Sequence, residues 1–313
     1  MQRRALGATG MTVSAIGLGA WQLRRSEAWP EGPEPAEAER LVAAALDAGV
    51  SLFDTAPGYA GGESERTLGR ALGSAHGAAA VVCTKFGHRP DGTTDWDVRS
   101  LPAMVAESAR RLRRERVDVV LLHNPPPDIL AGRQGHYEAL ARMRQTGLVG
   151  AYGASVDTAA EVDAALASMG AQVLEVRLSA LYQEPWEAVA RAHERGVGVL
   201  VKVPLESGWL GGRYGPDTVF SGVRARWSRE DIRERAALVA EFGALLPAGM
   251  ATATGAIAFL HSHPGVSSVL AGMRTPDHLR EATRAADERL PDAVARAVRA
   301  WYGRRLGHRA LAW

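Results

Sequence analysis

Short unbroken apolar runs alternate along this chain with longer stretches in which apolar residues recur at helical spacing. Residues 4–14 alternate around glycines and read as a hairpin. The run 15–19 (AIGLG) predicts a first buried strand, and 36–48 (AEAERLVAAALDA) predicts a helix that stops before Gly49. From there the two patterns take turns. Strands are predicted over 50–53, 79–84, 117–122, 148–153, 173–178, 197–203 and 266–270. Helices are predicted over 64–72, 101–114, 136–146, 158–168, 186–195, 229–242 with 252–261, and 276–286. A further amphipathic helix covers 291–304, and residues 25–34, rich in Pro, Glu and Gly, form a loop. Glu63 and Glu65 fall near the start of their helix, where the helix dipole favours acids.

Strands followed by helices at short spacing imply parallel pairing through right-handed crossovers. The strands are near-continuous apolar runs, the composition expected when both faces are buried. Eight of them with no separating linker predict an α/β fold, a single (β/α)8 TIM barrel over residues 1–313 with an N-terminal hairpin and a C-terminal extra helix. A doubly wound open sheet is the alternative. Its dinucleotide fingerprint is missing, because Gly17-Leu18-Gly19 continues as Ala20-Trp21-Gln22 without a third glycine. Any nucleotide site must therefore lie elsewhere.

Composition narrows the function. Hydrophobic residues make up 46% of the 313, ample for a large core, and a net charge of +2 offers no electrostatic case for nucleic acid. One cysteine excludes an internal disulfide framework and favours a reducing compartment. The N-terminal MQRRALGATG has no apolar leader, and no uncharged run is long enough to span a bilayer, so a cytoplasmic protein without membrane or nucleic-acid partners is expected. Of 37 basic residues only Lys85 and Lys202 are lysine, and both end strand-like runs. Lysine, unlike arginine, is compact and shifts its pKa when buried. The one asparagine, Asn124, directly follows His123.

Chemistry in such a barrel sits where strands give way to helices. Asp54, Lys85 and His123 close three consecutive strands there, and Tyr59 lies on the loop after Asp54. A free phenol is a poor acid at neutral pH. An adjacent ammonium lowers its pKa by stabilising the phenolate, and a buried aspartate keeps that ammonium charged and positioned. An imidazole can orient a carbonyl oxygen or relay a proton. The set suits protonation of a carbonyl oxygen while hydride reaches its carbon. Each residue also has a purely structural reading, as helix cap, salt-bridge partner or core histidine.

At these residues the sequence resembles the aldo-keto reductase superfamily, in "FDTAPGYAGGESERTLGRAL", "CTKFG", "DVVLLHNP", "GAYGAS", "VPLESGWLGGRY" and "VLAGMRTPDHLREA". The resemblance runs from about Leu6 to Ala286. It implies a barrel that uses NADPH or NADH to interconvert carbonyls and alcohols, with Tyr59 as general acid, Lys85 and Asp54 tuning it, and His123 orienting a small carbonyl substrate. Trp21 matches a position lining the substrate pocket, beside Asn124 at the mouth. Ser155 matches the serine that bonds the nicotinamide carboxamide, and Pro204, Leu205, Ser207, Gly208 and Leu210 match the loop along the pyrophosphate. Arg274 matches a residue that pairs with a 2′-phosphate, which favours NADPH over NADH, and Glu281 one that meets adenine.

Several positions depart from that pattern. Val156 replaces an asparagine, Glu175 a glutamine, and Lys202 the aromatic residue that stacks on nicotinamide, while His278 stands where arginine is frequent and Ala282 where asparagine is. Glu175 and Lys202 are expected to pair beneath the nicotinamide, with Arg177 as a competing partner. Elsewhere, His261-x-His263 has metal-pair spacing but no evident third ligand, and Cys83 reads as core. Trp96, Trp209 and Trp227 suit either substrate walls or packing, and Arg213, Arg224 and Arg226 either a phosphate clasp or a solvated loop. Two other functions stay open: an NAD-dependent sugar or alcohol dehydrogenase, and a cofactor-binding regulatory subunit with little turnover. Oligomeric state is not legible.

Overall fold

Successive residues on a strand face opposite sides, and in this chain that parity decides everything about the barrel. The computed structural model describes all residues except 169, 308, 310 and 313. An antiparallel hairpin of β1 (Arg3–Ala5) and β2 (Thr12–Ser14) precedes the barrel strands β3 (Ile16–Gly19), β4 (Leu52–Asp54), β5 (Val81–Phe86), β6 (Val117–His123), β7 (Val149–Val156), β8 (Val173–Arg177), β9 (Gly198–Lys202) and β10 (Val266–Gly272). The eight barrel strands pair in parallel in the closed order β10-β3-β4-β5-β6-β7-β8-β9. This is the (β/α)8 barrel expected from the alternating pattern, with the hairpin as a separate small sheet.

Two apolar layers follow from the parity. One set of strand residues, Leu52, Val81, Cys83, Val119, Leu121, Ala151, Val173, Leu200 and Leu270, fills the barrel interior together with Leu6 and Val13 of the hairpin region. The other set, including Phe53, Val82, Phe86, Val120, Leu122, Leu174 and Val201, packs outward against the helices. The hairpin region stops the lower end of the barrel, tied by the Ala8 amide donating to the Gly196 carbonyl at 2.7 Å.

The element bounds differ from the sequence reading in physically intelligible ways. Ala79 and Ala80 do not start a strand, because they close a helical turn, Ala75–Ala78, with the Ala80 amide donating to Gly77 at 3.1 Å. Another single turn, Pro127–Leu130, also escapes a periodicity argument. Strand β7 runs on to Val156, since polar Ser155 points inward where a polar layer begins. The helices Arg229–Leu245 and Thr252–His261 both lie between β9 and β10, and Asp292–Arg305 is the extra C-terminal helix. His261 and His263 are each committed to the fold, His261 Nε2 to the Ala15 carbonyl and His263 Nε2 to that of Trp186, both at 3.0 Å. No described helix is long and apolar enough to cross a membrane.

Interior closeness makes one glycine indispensable. A Cβ on Gly153 would lie 1.7 Å from the Val173 carbonyl oxygen, an obstacle of backbone rather than of a flexible side-chain tip. Gly153→Ala is expected to destabilise by about 3 kcal/mol, as overpacking against an unyielding wall does. Gly303→Ala, on an exposed helix position with nothing within 4 Å of the new methyl, is expected to stabilise by about 0.5–1 kcal/mol. Urea denaturation of both checks this, and equal midpoints would contradict it.

Candidate active site

The strand parity that fills the barrel floor with apolar side chains places polar ones at its mouth. Asp54 follows Leu52 on the inward face, Lys85 follows Cys83, His123 follows Leu121, and Glu175 follows Val173. Ser155 and Lys202 follow the same rule on β7 and β9, above Ala151 and Leu200. Parallel register then sets their heights. His123 stands opposite Ser155, Ser155 opposite Glu175, and Glu175 opposite Leu200, while Lys202 stands opposite Arg177.

Lys85 is the centre of the buried layer. Its Nζ donates to Asp54 Oδ1 at 2.6 Å and to the Thr55 carbonyl at 3.0 Å, and it makes an ion pair with Glu175 Oε2 at 3.1 Å. Burial opposes its charge, but the carboxylates of Asp54 and Glu175 more than reverse that and hold the ammonium well above the ordinary lysine range. Burial and then the neighbouring Glu175 push the Asp54 carboxyl up to about 8 against the pull of Lys85. Glu175 is itself held below the usual glutamate value. Burial works against this, and Lys85 and Lys202 outweigh it.

Tyr59 is set over this layer by the loop after β4. Thr55 Oγ1 donates to Ser64 Oγ at 2.9 Å, and Ser64 Oγ to the Ala20 carbonyl at 3.1 Å, so both ends of the loop are fixed. Between them Ala60, Gly61 and Gly62 all take positive φ (47°, 63° and 85°), which reverses the chain into the helix Glu63–Ala71. The Tyr59 ring centroid lies 5.3 Å from Lys85 Nζ and 6.0 Å from the His123 ring. The Tyr59 phenol departs from the lowered pKa expected of a phenol beside an ammonium. Burial raises the Tyr59 phenol above its usual value, with Asp54 and Glu175 adding to the rise, and Lys85 offsets only part of it. His123 is driven well below the usual imidazole range by burial, then by Lys85, Lys202 and His88, so it is neutral at physiological pH. Its ring packs edge-on against His88 at 4.7 Å, a neighbour that no motif singled out.

The expected Glu175–Lys202 pair does not form. Glu175 bonds Lys85 instead, and Lys202 Nζ bonds Ser155 Oγ at 2.8 Å, Asp157 Oδ1 at 2.9 Å and Asn124 Oδ1 at 3.0 Å. Register is the reason, because it lifts Lys202 one step above Glu175, to the level of Arg177. Among the described residues, the hydrogen-bonded link between the two runs through Ser155, whose Oγ donates to Glu175 Oε1 at 3.1 Å. Arg177 is no rival for Glu175 either. It faces Glu206 at 3.5 Å and lies 4.2 Å over the Tyr182 ring.

A cleft of about 500 Å³ opens above this layer. Of the residues predicted for the site, Trp21, Asp54, Tyr59, His123, Asn124, Glu175, Lys202, Pro204, Leu205, Ser207, Gly208, Arg274, His278 and Glu281 line it. Lys85 and Ser155 lie buried just beneath. Leu210 does not reach the wall: it is fully buried in the outer apolar layer, where the turn Glu206–Gly211 packs on the core. Trp209 and Trp227 are likewise packing residues, their rings 5.9 Å apart in a buried aromatic group, and Trp96 packs on Phe86. Arg213 and Arg224 do line the cleft, whereas Arg226 lies over the Trp227 ring. Sequence reasoning missed Glu31, which reaches in from the first loop to bond Arg274 Nη1 and Arg224 Nη2, each at 3.1 Å.

The loop after β9 has the backbone of an anion cradle. Val203, Glu206 and Ser207 take positive φ (56°, 48° and 55°) although none is glycine, and Gly208 follows at 98°. For a β-branched valine this is strain that the surroundings must enforce, and such strain gathers at ligand sites. The enforcer is fully buried Glu206, which accepts from Ser179 Oγ at 2.9 Å and pairs with Arg235 at 3.3 Å.

The model of the Aldo/keto reductase family matches residues 15–302. The chain belongs to the aldo/keto reductase family. An uncharacterized oxidoreductase of Mycobacterium tuberculosis (strain ATCC 25618 / H37Rv) is 32% identical over 306 residues, covering 92% of this chain and 90% of the relative. An NADH-specific methylglyoxal reductase of Escherichia coli (strain K12) is 27% identical over 318 residues, covering 96% and 98%. The holo form of an aldo-keto reductase from Bacillus halodurans shares the fold, with a TM-score of 0.81 at 23% identity and 96% coverage of both chains. Membership of this family makes the protein an oxidoreductase, and its members use nicotinamide cofactors.

Within this aldo/keto reductase, Glu206 carries the strained loop. Glu206→Ala strips the buried Arg235 guanidinium of its carboxylate partner, and is expected to lower the unfolding free energy by about 3 kcal/mol, as the loss of one member of a buried pair does. Urea denaturation measures it, and a loss within experimental error would show that the loop is held by other means.

Proposed function

We propose that the protein is a carbonyl reductase that converts small aldehydes or ketones to alcohols with NADPH, Tyr59 serving as general acid. The convergence of Tyr59 and His123 on one cleft, directly over the Asp54–Lys85 ion pair, carries this reading. A nicotinamide held in this cleft would supply the hydride chemistry. The residues present fit such a group: the strained cradle at Ser207 and Gly208 suits a pyrophosphate, Lys202 and Asn124 offer polar partners above Ser155, and Arg274, His278 and Glu281 line the far end of the cleft.

The chain's own groups handle the oxygen. The raised pKa of Tyr59 keeps its proton in place across the physiological range, so the resting site presents a loaded acid. The phenolate left after proton transfer gains the field of a buried ammonium 5.3 Å from its ring centre. Neutral His123 donates an N–H to the carbonyl oxygen and fixes its direction without competing as an acid. Trp21, whose ring lies 6.2 Å from that of Tyr59, gives the substrate an apolar wall.

Guanidinium donors at Arg274 and Arg213 support NADPH. NADH is the second reading, because Glu31 already occupies Arg274 at 3.1 Å, and the Escherichia coli relative is NADH-specific. A cytoplasmic setting suits a chain whose one cysteine is fully buried.

Tyr59→Phe keeps the ring and removes the proton. Turnover of an aldehyde panel is expected to fall by about 10³-fold, within the range for loss of a general acid, while cofactor binding followed by protein fluorescence stays near that of the parent. Turnover close to the parent's would refute Tyr59 as the acid.

A further inference from the structure

The ionic layer beneath Tyr59 holds two carboxylates and one cation. Asp54 and Glu175 both bind Lys85, and the three side chains are 6%, 3% and 0% exposed. The other ammonium, Lys202, pairs with Asp157 at the mouth at 2.9 Å and acts on Glu175 from outside the buried layer. One oxygen from each of the two carboxyl groups and the Cys83 thiol lie within 4.8 Å of one another. That spacing would also suit a metal ion, but the Lys85 ammonium already forms ion pairs with both carboxyl groups. Two like charges this close and this dry cannot both ionise at little cost, so the pair titrates as a unit and holds back one proton.

We propose that Asp54 and Glu175 form a carboxyl pair that keeps one proton at neutral pH, and that this proton reloads Tyr59 through Lys85 during carbonyl reduction. Glu175 is thereby a positioning residue acting through Lys85. The proposal deepens the reading of Tyr59 as acid and, in its second half, rests on it. Glutamine at position 175 would carry neither a negative charge nor a titratable proton, so the device depends on this chain's glutamate.

The groups around the pair agree with the count. Tyr59 faces it from the loop after β4, Cys83 and Lys85 from β5, Ser155 from β7 and Lys202 from β9, while His123 on β6 faces Lys85 and Lys202. Cys83 is kept a neutral thiol by burial, and His123 is neutral. The two carboxyl groups hold that proton as a pair, burial and Glu175 raising Asp54 while Lys85 and Lys202 lower Glu175.

The proton balance closes. The Tyr59 O–H bond breaks as the substrate oxygen takes its proton. The phenolate takes a proton from the Lys85 ammonium, and the amine takes the one held by the carboxyl pair. Two carboxylates and one ammonium remain, one proton short of the resting state, and water supplies it. A path for that proton is laid out: Lys202 Nζ donates to Ser155 Oγ at 2.8 Å, and Ser155 Oγ donates to Glu175 Oε1 at 3.1 Å. Lys202 stands at the cleft wall, so one hydroxyl separates the pair from the mouth.

Infrared difference spectroscopy of the full-length protein between pH 6 and pH 10 tests the pair without calling on turnover. The parent is expected to show a protonated-carboxyl C=O band at pH 7 that shifts in D2O and bleaches around pH 8. Glu175→Gln is expected to lack the band, because Asp54 alone opposite Lys85 ionises, and Asp54→Asn is expected to lack it as well. No band in the parent at pH 7, or a band that survives in both variants, would overturn the pair. The reloading step is read from kcat/KM for reduction. The parent should fall as pH rises through about 8, and Glu175→Gln should lose that limb or move it by at least one unit. A band present with an unshifted limb would overturn the reloading role. Failure of Tyr59 as the acid would leave the band in place, so the two ideas are separable.

Discussion

A single buried ammonium holds the mouth of this barrel together. Lys85 Nζ, sealed from solvent, draws in the Asp54 carboxyl from the strand before it, the Thr55 carbonyl from the next residue along, and the Glu175 carboxylate from across the barrel. Burying any of these groups alone would carry a large desolvation penalty, and together they are mutually compensated. The loop bearing Tyr59 leaves from this knot, and the neutrality of His123 follows partly from the same charge. Geometry, protonation and access at the site therefore share one origin.

Much of this was legible in the residues. Apolar runs of strand length, alternating with helical periodicity, pointed to a parallel barrel, and the polar residue closing each run marked the mouth. Asp54, Lys85 and His123 were readable because each follows an inward apolar residue by two positions, and parity carries that rule up the strand. The short helical turns at Ala75–Ala78 and Pro127–Leu130 were not readable, since a single turn has no period.

What the sequence left out depends on register and on burial. Glu175 and Lys202 sit on adjacent strands, which made them look like partners, yet the pairing of Glu175 with Leu200 and of Arg177 with Lys202 separates them by one step. Spacing along a chain carries no such information across strands. The pKa of Tyr59 was misjudged for a related reason. A neighbouring ammonium lowers a phenol's pKa, but burial, whose extent the sequence does not show, outweighs it with Asp54 and Glu175 adding to the rise. Glu31 lay outside every motif, on a loop whose path only the fold defines.

The chain contains only two lysines, which makes the central charge directly observable. Protein labelled with ζ-15N lysine gives two side-chain nitrogen resonances, and Lys85→Met, or Lys202→Arg if the former does not fold, assigns them. The account predicts that the Lys85 signal stays at the ammonium position as pH is raised past the ordinary lysine value of 10.5, for as long as the protein remains folded. A Lys85 signal that titrates below that value would mean that the two carboxyl groups do not hold the charge, and the site described here would lose its foundation.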